Sequence, residues 1–266
     1  MLGKLLKHEF RATSRIMGPL YLIVLATAVG ANISVRLMDH AQSRVLNILA
    51  ALLMTAFVVA MIGVGVVALV LMIRRFHVNL MGDEGYVMFT LPASVHQQIC
   101  SKIIVSTVWF IATAAVMALS GLIAAYQVGF MGRLISGLQD VLHQITALYA
   151  LNGVAFFVEA LAVCFLGCAV CCLQFYAAMS IGHSFANHKV AYSVLFFFIM
   201  QFAVQLIGSF TVSGLSEMDW SWFRFNVQGM AAVHAVMGLA CAALLIYGAV
   251  FYVITAVMLK RHLNLE

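Results

Sequence analysis

The chain has 266 residues, 65% of them hydrophobic and only 9% charged, with a formal net charge of +5 and a mean hydropathy of +1.08. An ordinary soluble domain is about 45–50% apolar and about 25% charged, so this composition excludes a soluble enzyme, a disordered chain and a collagen-like fibre. An all-α integral membrane protein remains, and with only two prolines its helices can run long.

At the N-terminus, Leu2, Leu5, Leu6, Phe10 and Ile16 recur at helical spacing, while Lys4, Lys7, His8, Arg11 and Arg15 fall on the remaining arc. The pattern predicts a basic amphipathic helix over 1–15 lying in the membrane interface; the plainer alternative is a solvated, frayed terminus. No cleaved leader is expected, because the uncharged stretch 16–35 is too long for a signal core and lacks a small-x-small cleavage site. A membrane span needs about 20 apolar residues to cross a ~30 Å hydrocarbon core. Six runs qualify, at about 17–35, 46–73, 103–126, 155–182, 190–212 and 231–259. They are too long for barrel strands and lack strand alternation. A single six-helix bundle is expected, without internal repeats or a separate soluble domain.

Basic residues set the orientation. With the N-terminus inside, the inner face holds Lys4, Lys7, Arg11, Arg15, Arg74, Arg75, Lys102, Lys189, Lys260 and Arg261, against Arg36, Arg44, Arg133 and Arg224 outside. The stretch 144–181 would reach about 57 Å if wholly helical, interrupted only by Asn152-Gly153 and Glu159. Read as two spans, it reverses everything downstream and weakens the inside bias. The six-span reading keeps that bias and makes 133–150 an outer or re-entrant helical piece. Both termini are then expected in the cytoplasm of a plasma-membrane protein. Its excess of positive charge meets headgroups and anionic lipid, and no interleaved basic and aromatic patch points to nucleic acid.

The longest polar interval on the inner face is 74–102, RRFHVNLMGDEGYVMFTLPASVHQQICSK. Arg74-Arg75 mark the exit of the second span, and Gly82-Asp83-Glu84-Gly85-Tyr86 follows after a short segment. Ser94-x-x-Gln97 is a capping box, so the third long helix is expected to begin near Ser94 and to carry Lys102 at headgroup level. Glycines permit tight turns, Asp83 and Glu84 can meet a basic partner, and Tyr86 and Phe89 supply anchors. The loop is therefore either a docking element or a solvated connector.

The basic N-terminal helix, six spans and "GDEGYVMFTLP" between the second and third spans together resemble the permease subunits of bacterial ATP-binding-cassette exporters, the type-2 ABC permease class. The opening "MLGKLLKHEFRAT", this loop and "HQQICSK" are similar to a clostridial-type group of such permeases. The likeness covers nearly the whole chain in layout, but only the N-terminus and inner loop in recognisable residues. It implies a type-2 exporter fold and a coupling helix in the loop, making Asp83, Glu84, Gly85, Tyr86, Leu91 and Pro92 the candidate contacts to a separate cytoplasmic ATPase. It also implies a second permease subunit, identical or different, and short re-entrant helices between the last two spans. The interval 213–230 has the length for these, with Trp220 and Trp222 suited to an interface.

No catalytic activity, cofactor or metal is expected of the chain itself. The phosphate-cradling Gly-x4-Gly-Lys-Ser/Thr loop does not occur, so ATP would belong to the partner. His8-Glu9 lacks the second histidine of a zinc-protease helix, and there is no Gly-x-Ser-x-Gly elbow. Cys164, Cys168, Cys171 and Cys172 share a helical face at a spacing that thiolate ligands can use. Charged thiolates are costly in lipid, however, and small residues on one face suit helix packing. With Cys100 and Cys241, they read as free thiols rather than a disulfide framework.

Glu159 stands inside an apolar run, where a carboxylate costs about 2.5–3.5 kcal/mol. It either lines a substrate path, pairing with a cationic group, or reaches headgroup water at the outer end of its span. Gln174, Gln201, Gln205 and His234 are expected to join helices by hydrogen bonds or to touch ligand. His183, His188 and Lys189 make up a short inner loop, either solvated or in minor contact with the ATPase. The expected function is ATP-driven export of an amphipathic peptide such as a bacteriocin, a drug or a lipid-like molecule. A membrane sensor, an immunity protein or an ion-gradient-coupled carrier is the alternative.

Overall fold

The computed structural model describes residues 2–40, 43–82, 84–85, 94–126, 130–149, 153–185, 187–217 and 230–261. Among them are seven helices and no strands: α1 (Leu2–His40), α2 (Arg44–Met81), α3 (Val95–Ala124), α4 (Phe130–Tyr149), α5 (Gly153–Gly182), α6 (Lys189–Glu217) and α7 (Met230–Arg261). All but α4 are long and apolar enough to cross a membrane. Large apolar side chains stand on the surface, Leu22 at 69% and Phe202 at 64% exposure among them. Lipid tails, as apolar as leucine, cover such faces without cost, whereas water would not.

The helices divide into two compact units, Met1–Arg74 with Ile104–Val141 and Arg75–Ile103 with Leu142–Glu266. In the first, α1 is a single helix of 39 residues, about 58 Å long at 1.5 Å per residue. Pro19 lies inside it and leaves the Arg15 carbonyl without a helical donor, a defect that membrane helices tolerate. The basic segment expected to form its own interfacial helix is thus the first part of a longer one. Its buried face also differs from the apolar arc of the sequence. Glu9, Thr13, Met17, Val24, Ala28 and Ala31 are buried, whereas Ile16 is 44% exposed. A continuous stripe at three- and four-residue spacing runs through both segments, and it includes a carboxylate.

The core of this unit is Met17, Ala68, Leu71 and Met72, with Leu20, Tyr21, Trp109 and Phe110 packed around it. The Tyr21 hydroxyl lies 2.8 Å from Thr113 Oγ1, whose own proton goes to the Trp109 carbonyl at 2.7 Å. Asn32 donates its amide to the carbonyls of Ala124, at 3.3 Å, and of Tyr126, satisfying acceptors that the end of α3 leaves open. Beside it, Val29, Leu119, Leu122 and Ile123 wall an open apolar cleft of about 350 Å³.

In the second unit α5 packs against both α6 and α7. Leu173, Ala177 and Phe251 form its buried core, flanked by Val170, Met200, Val204, Tyr247 and Ile254. Gln174 donates to Gln201 at 2.8 Å, a helix-joining bond of the kind expected of these residues. The turn from α5 to α6 is tight. A Cβ on Gly182 would lie 2.5 Å from the Ser193 nitrogen and 2.7 Å from its Cα, so only glycine fits.

Two sequence expectations gain detail. Helix α4 ends at Tyr149 and α5 begins at Gly153, so 144–181 contains one candidate span, not two. Helix α6 continues to Glu217, so the interval 213–230 opens with helix; Trp220 and Trp222 lie outside the described residues.

Candidate functional site

The loop between α2 and α3 belongs to the second unit, and its two flanks can be followed residue by residue. On the first flank, α2 ends at Met81. Gly82 N–H donates back to the His77 carbonyl at 3.0 Å, and Gly85 N–H donates to the Gly82 carbonyl at 2.8 Å, which turns the chain. Glu84 is exposed at this turn and Gly85 is buried. Asp83, Tyr86, Leu91 and Pro92, the other candidate docking residues, lie outside the described residues, as does Phe89. On the second flank, Gln97 N–H donates to Ser94 Oγ at 3.3 Å, the serine half of the expected capping box. Helix α3 then begins at Val95.

Both flanks are braced by side chains that sequence reading did not connect. The rings of Phe76 and Tyr176 stack at 3.9 Å between centroids and 6° between planes, both buried. One residue on, His77 meets His183 with their Nε2 atoms 2.9 Å apart. His183 Nδ1 donates to the Met179 carbonyl at 3.0 Å, so its Nε2 is the acceptor and His77 the donor. Burial holds the His183 imidazole below its ordinary value; the Met179 carbonyl opposes this, and the nearby His77 and Lys189 add to it. His183, expected to be solvated or in minor contact with a partner, is 4% exposed and fastens α2 to α5.

Across the loop, Lys260 Nζ donates to His96 Nε2 at 2.8 Å. The ring proton of His96 therefore sits on Nδ1, 2.7 Å from the Tyr252 hydroxyl. The start of α3 is thus tied to the end of α7. Lys102, expected at headgroup level, is 3% exposed. It continues a buried face of α3 through Gln98, Ile99, Ser101 and Val105.

The opposite end of this unit holds a second polar cluster. His234 Nδ1 on α7 lies 2.7 Å and 2.6 Å from the two carboxylate oxygens of Glu159 on α5. Their side chains are 26% and 31% exposed respectively. Each residue stood out in the sequence; their pairing across 75 residues did not. The cysteine face of α5 is mixed, with Cys172 buried, Cys168 half-buried and Cys164 and Cys171 exposed. Among the described residues no three His, Cys, Asp or Glu gather in the way a metal ion requires.

Chemically, the first cluster is a clamp. Aromatic stacking and bonded imidazoles tie the described flanks of the loop to α5 and α7. The second cluster is a partly open carboxylate with one polar neighbour among the described residues. No family model, no curated protein and no solved structure matches this chain.

Proposed function

We propose that the chain is the membrane-spanning permease subunit of an ATP-driven exporter of the type-2 ABC class. Two such subunits, identical or different, enclose a path for an amphipathic substrate, and separate cytoplasmic ATPases bind at residues 82–92. The observation that carries this reading is the bracing of both flanks of that loop, through Phe76–Tyr176 and His77–His183 before it and His96–Tyr252–Lys260 after it. A solvated connector has no need of such anchorage. A docking element does, because closure of the ATPases acts on the bundle only through a stiff base, biasing it between two arrangements. Exposed Glu84 beside buried Gly85 fits a contact surface set on a fixed backbone.

The test is to isolate the tagged full chain from its native membrane in mild detergent and assay the preparation for ATP hydrolysis. A co-purifying ABC ATPase is expected, and the triple substitution Asp83→Ala, Glu84→Ala, Tyr86→Ala should release it. Retention of the ATPase by the triple variant, or absence of any ATPase from the wild-type preparation, defeats the docking role.

The Glu159–His234 pair favours a second reading, a carrier coupled to an ion gradient. Reconstitution separates the two. Uphill movement of substrate by the chain alone in liposomes, with an ion gradient and no ATPase, establishes the carrier and removes the exporter.

A further inference from the structure

We infer that Glu159 and His234 form a binding site for organic cations, in which the Glu159 carboxylate receives one positive charge carried on an apolar body. This inference rests on the reading that the chain handles amphipathic cargo, and it narrows that cargo to cations.

Among the described residues His234 Nδ1 is the one polar neighbour of Glu159, and it faces both carboxylate oxygens. A carboxylate accepts about four hydrogen bonds, so Glu159 keeps accepting capacity beyond that contact. The pair is also open, with close to a third of the Glu159 side chain exposed beside an apolar run. Such a charge lowers its free energy by taking a counter-charge from outside.

The surroundings select the kind of cation. Phe156 lies one helical turn before Glu159, and both members of the pair stand within helices apolar enough to cross a membrane. A strongly hydrated inorganic ion gives up water only for several oxygen or nitrogen donors, and no third His, Cys, Asp or Glu joins this pair among the described residues. A weakly hydrated organic cation needs only one charge partner, and it gains from apolar and aromatic contact.

The test uses the full chain in phosphatidylcholine nanodiscs, with radiolabelled tetraphenylphosphonium as the probe and empty nanodiscs as the blank. Saturable binding near one probe per chain is expected. Glu159→Gln should weaken it about tenfold or more, and Glu159→Asp should restore it. Unlabelled tetraphenylphosphonium should displace the probe, whereas the uncharged analogue triphenylphosphine oxide should not. No saturable binding, equal binding by Glu159→Gln, or displacement by the uncharged analogue overturns the proposal. Should Glu159→Gln fail to fold, as judged by gel filtration, the competition decides alone. The assay contains no ATPase, so its failure leaves the docking role untouched, and failure of the docking role does not alter its outcome.

Discussion

The two ends of α5 make use of the same side chain in opposite ways. Near its C-terminus His183 is 4% exposed, engages both ring nitrogens and adjoins the Phe76–Tyr176 stack. Near its N-terminus Glu159 meets His234, which is 26% exposed and engaged only through Nδ1 among the described residues. A histidine that is dry and doubly bonded acts as a fastener, since every polar atom left unpaired there would carry a desolvation cost. One that is half open beside a carboxylate has bonding capacity to spare. Burial and the number of engaged atoms, rather than residue type, separate the structural cluster from the available one.

The contrast can be broken most readily by truncation. Phe76→Ala removes a fully buried, stacked ring and should cost about 3–5 kcal/mol, whereas His234→Ala should cost about 0.6 kcal/mol, the usual worth of one hydrogen bond between membrane helices. Unfolding of the purified chain by SDS titration measures both, and equal losses would erase the distinction between the two ends. A sharper probe of the C-terminal end is Gly182→Ala, which forces a methyl group onto the Ser193 backbone and should cost about 1–3 kcal/mol. Gly167→Ala, on the same helix with nothing within 4 Å of the added carbon, serves as the neutral control.

The smallest expected effect is on the pH dependence of stability. Because burial holds His183 below its ordinary value of 6.5, the unfolded chain takes up the proton more readily than the folded one. Stability is therefore intact above about pH 6.5, falls as pH drops below it, and levels off beneath the folded-state value. Thermal midpoints recorded from about pH 7.5 to about pH 5 should decline for the wild type and decline less for His183→Gln. A midpoint that rises on acidification would contradict the dry environment assigned to this ring.

The spans were legible because membrane thickness imposes a length and lipid imposes a composition; 155–182, for example, is within two residues of α5. The cap at Ser94 was legible for a local reason, since its bond closes within three residues. Side-chain partners were not. Helices that are apolar all round carry no polarity signal for which face meets protein and which meets lipid. Thus Glu9 and Thr13 proved buried although they lie off the apolar arc of Leu2 to Ile16, and His77 found His183 across 106 residues. Four of the six candidate docking residues, Asp83, Tyr86, Leu91 and Pro92, lie outside the described residues. The contacts on its flanks, Phe76 with Tyr176 and His96 with Tyr252, join residues too far apart in the chain for local pattern to pair them.

The central place of α5 bears on how the polypeptide is made. Two helices that pack against it within the unit, α6 and α7, come later in the chain. Each emerges from the insertion machinery with its packing surface already waiting in the bilayer, Gln174 for Gln201 first and Val170 for the Gly248 backbone afterwards. Assembly of this half can thus proceed in step with translation, and a ribosome stalled after α6 would leave a helix pair already joined.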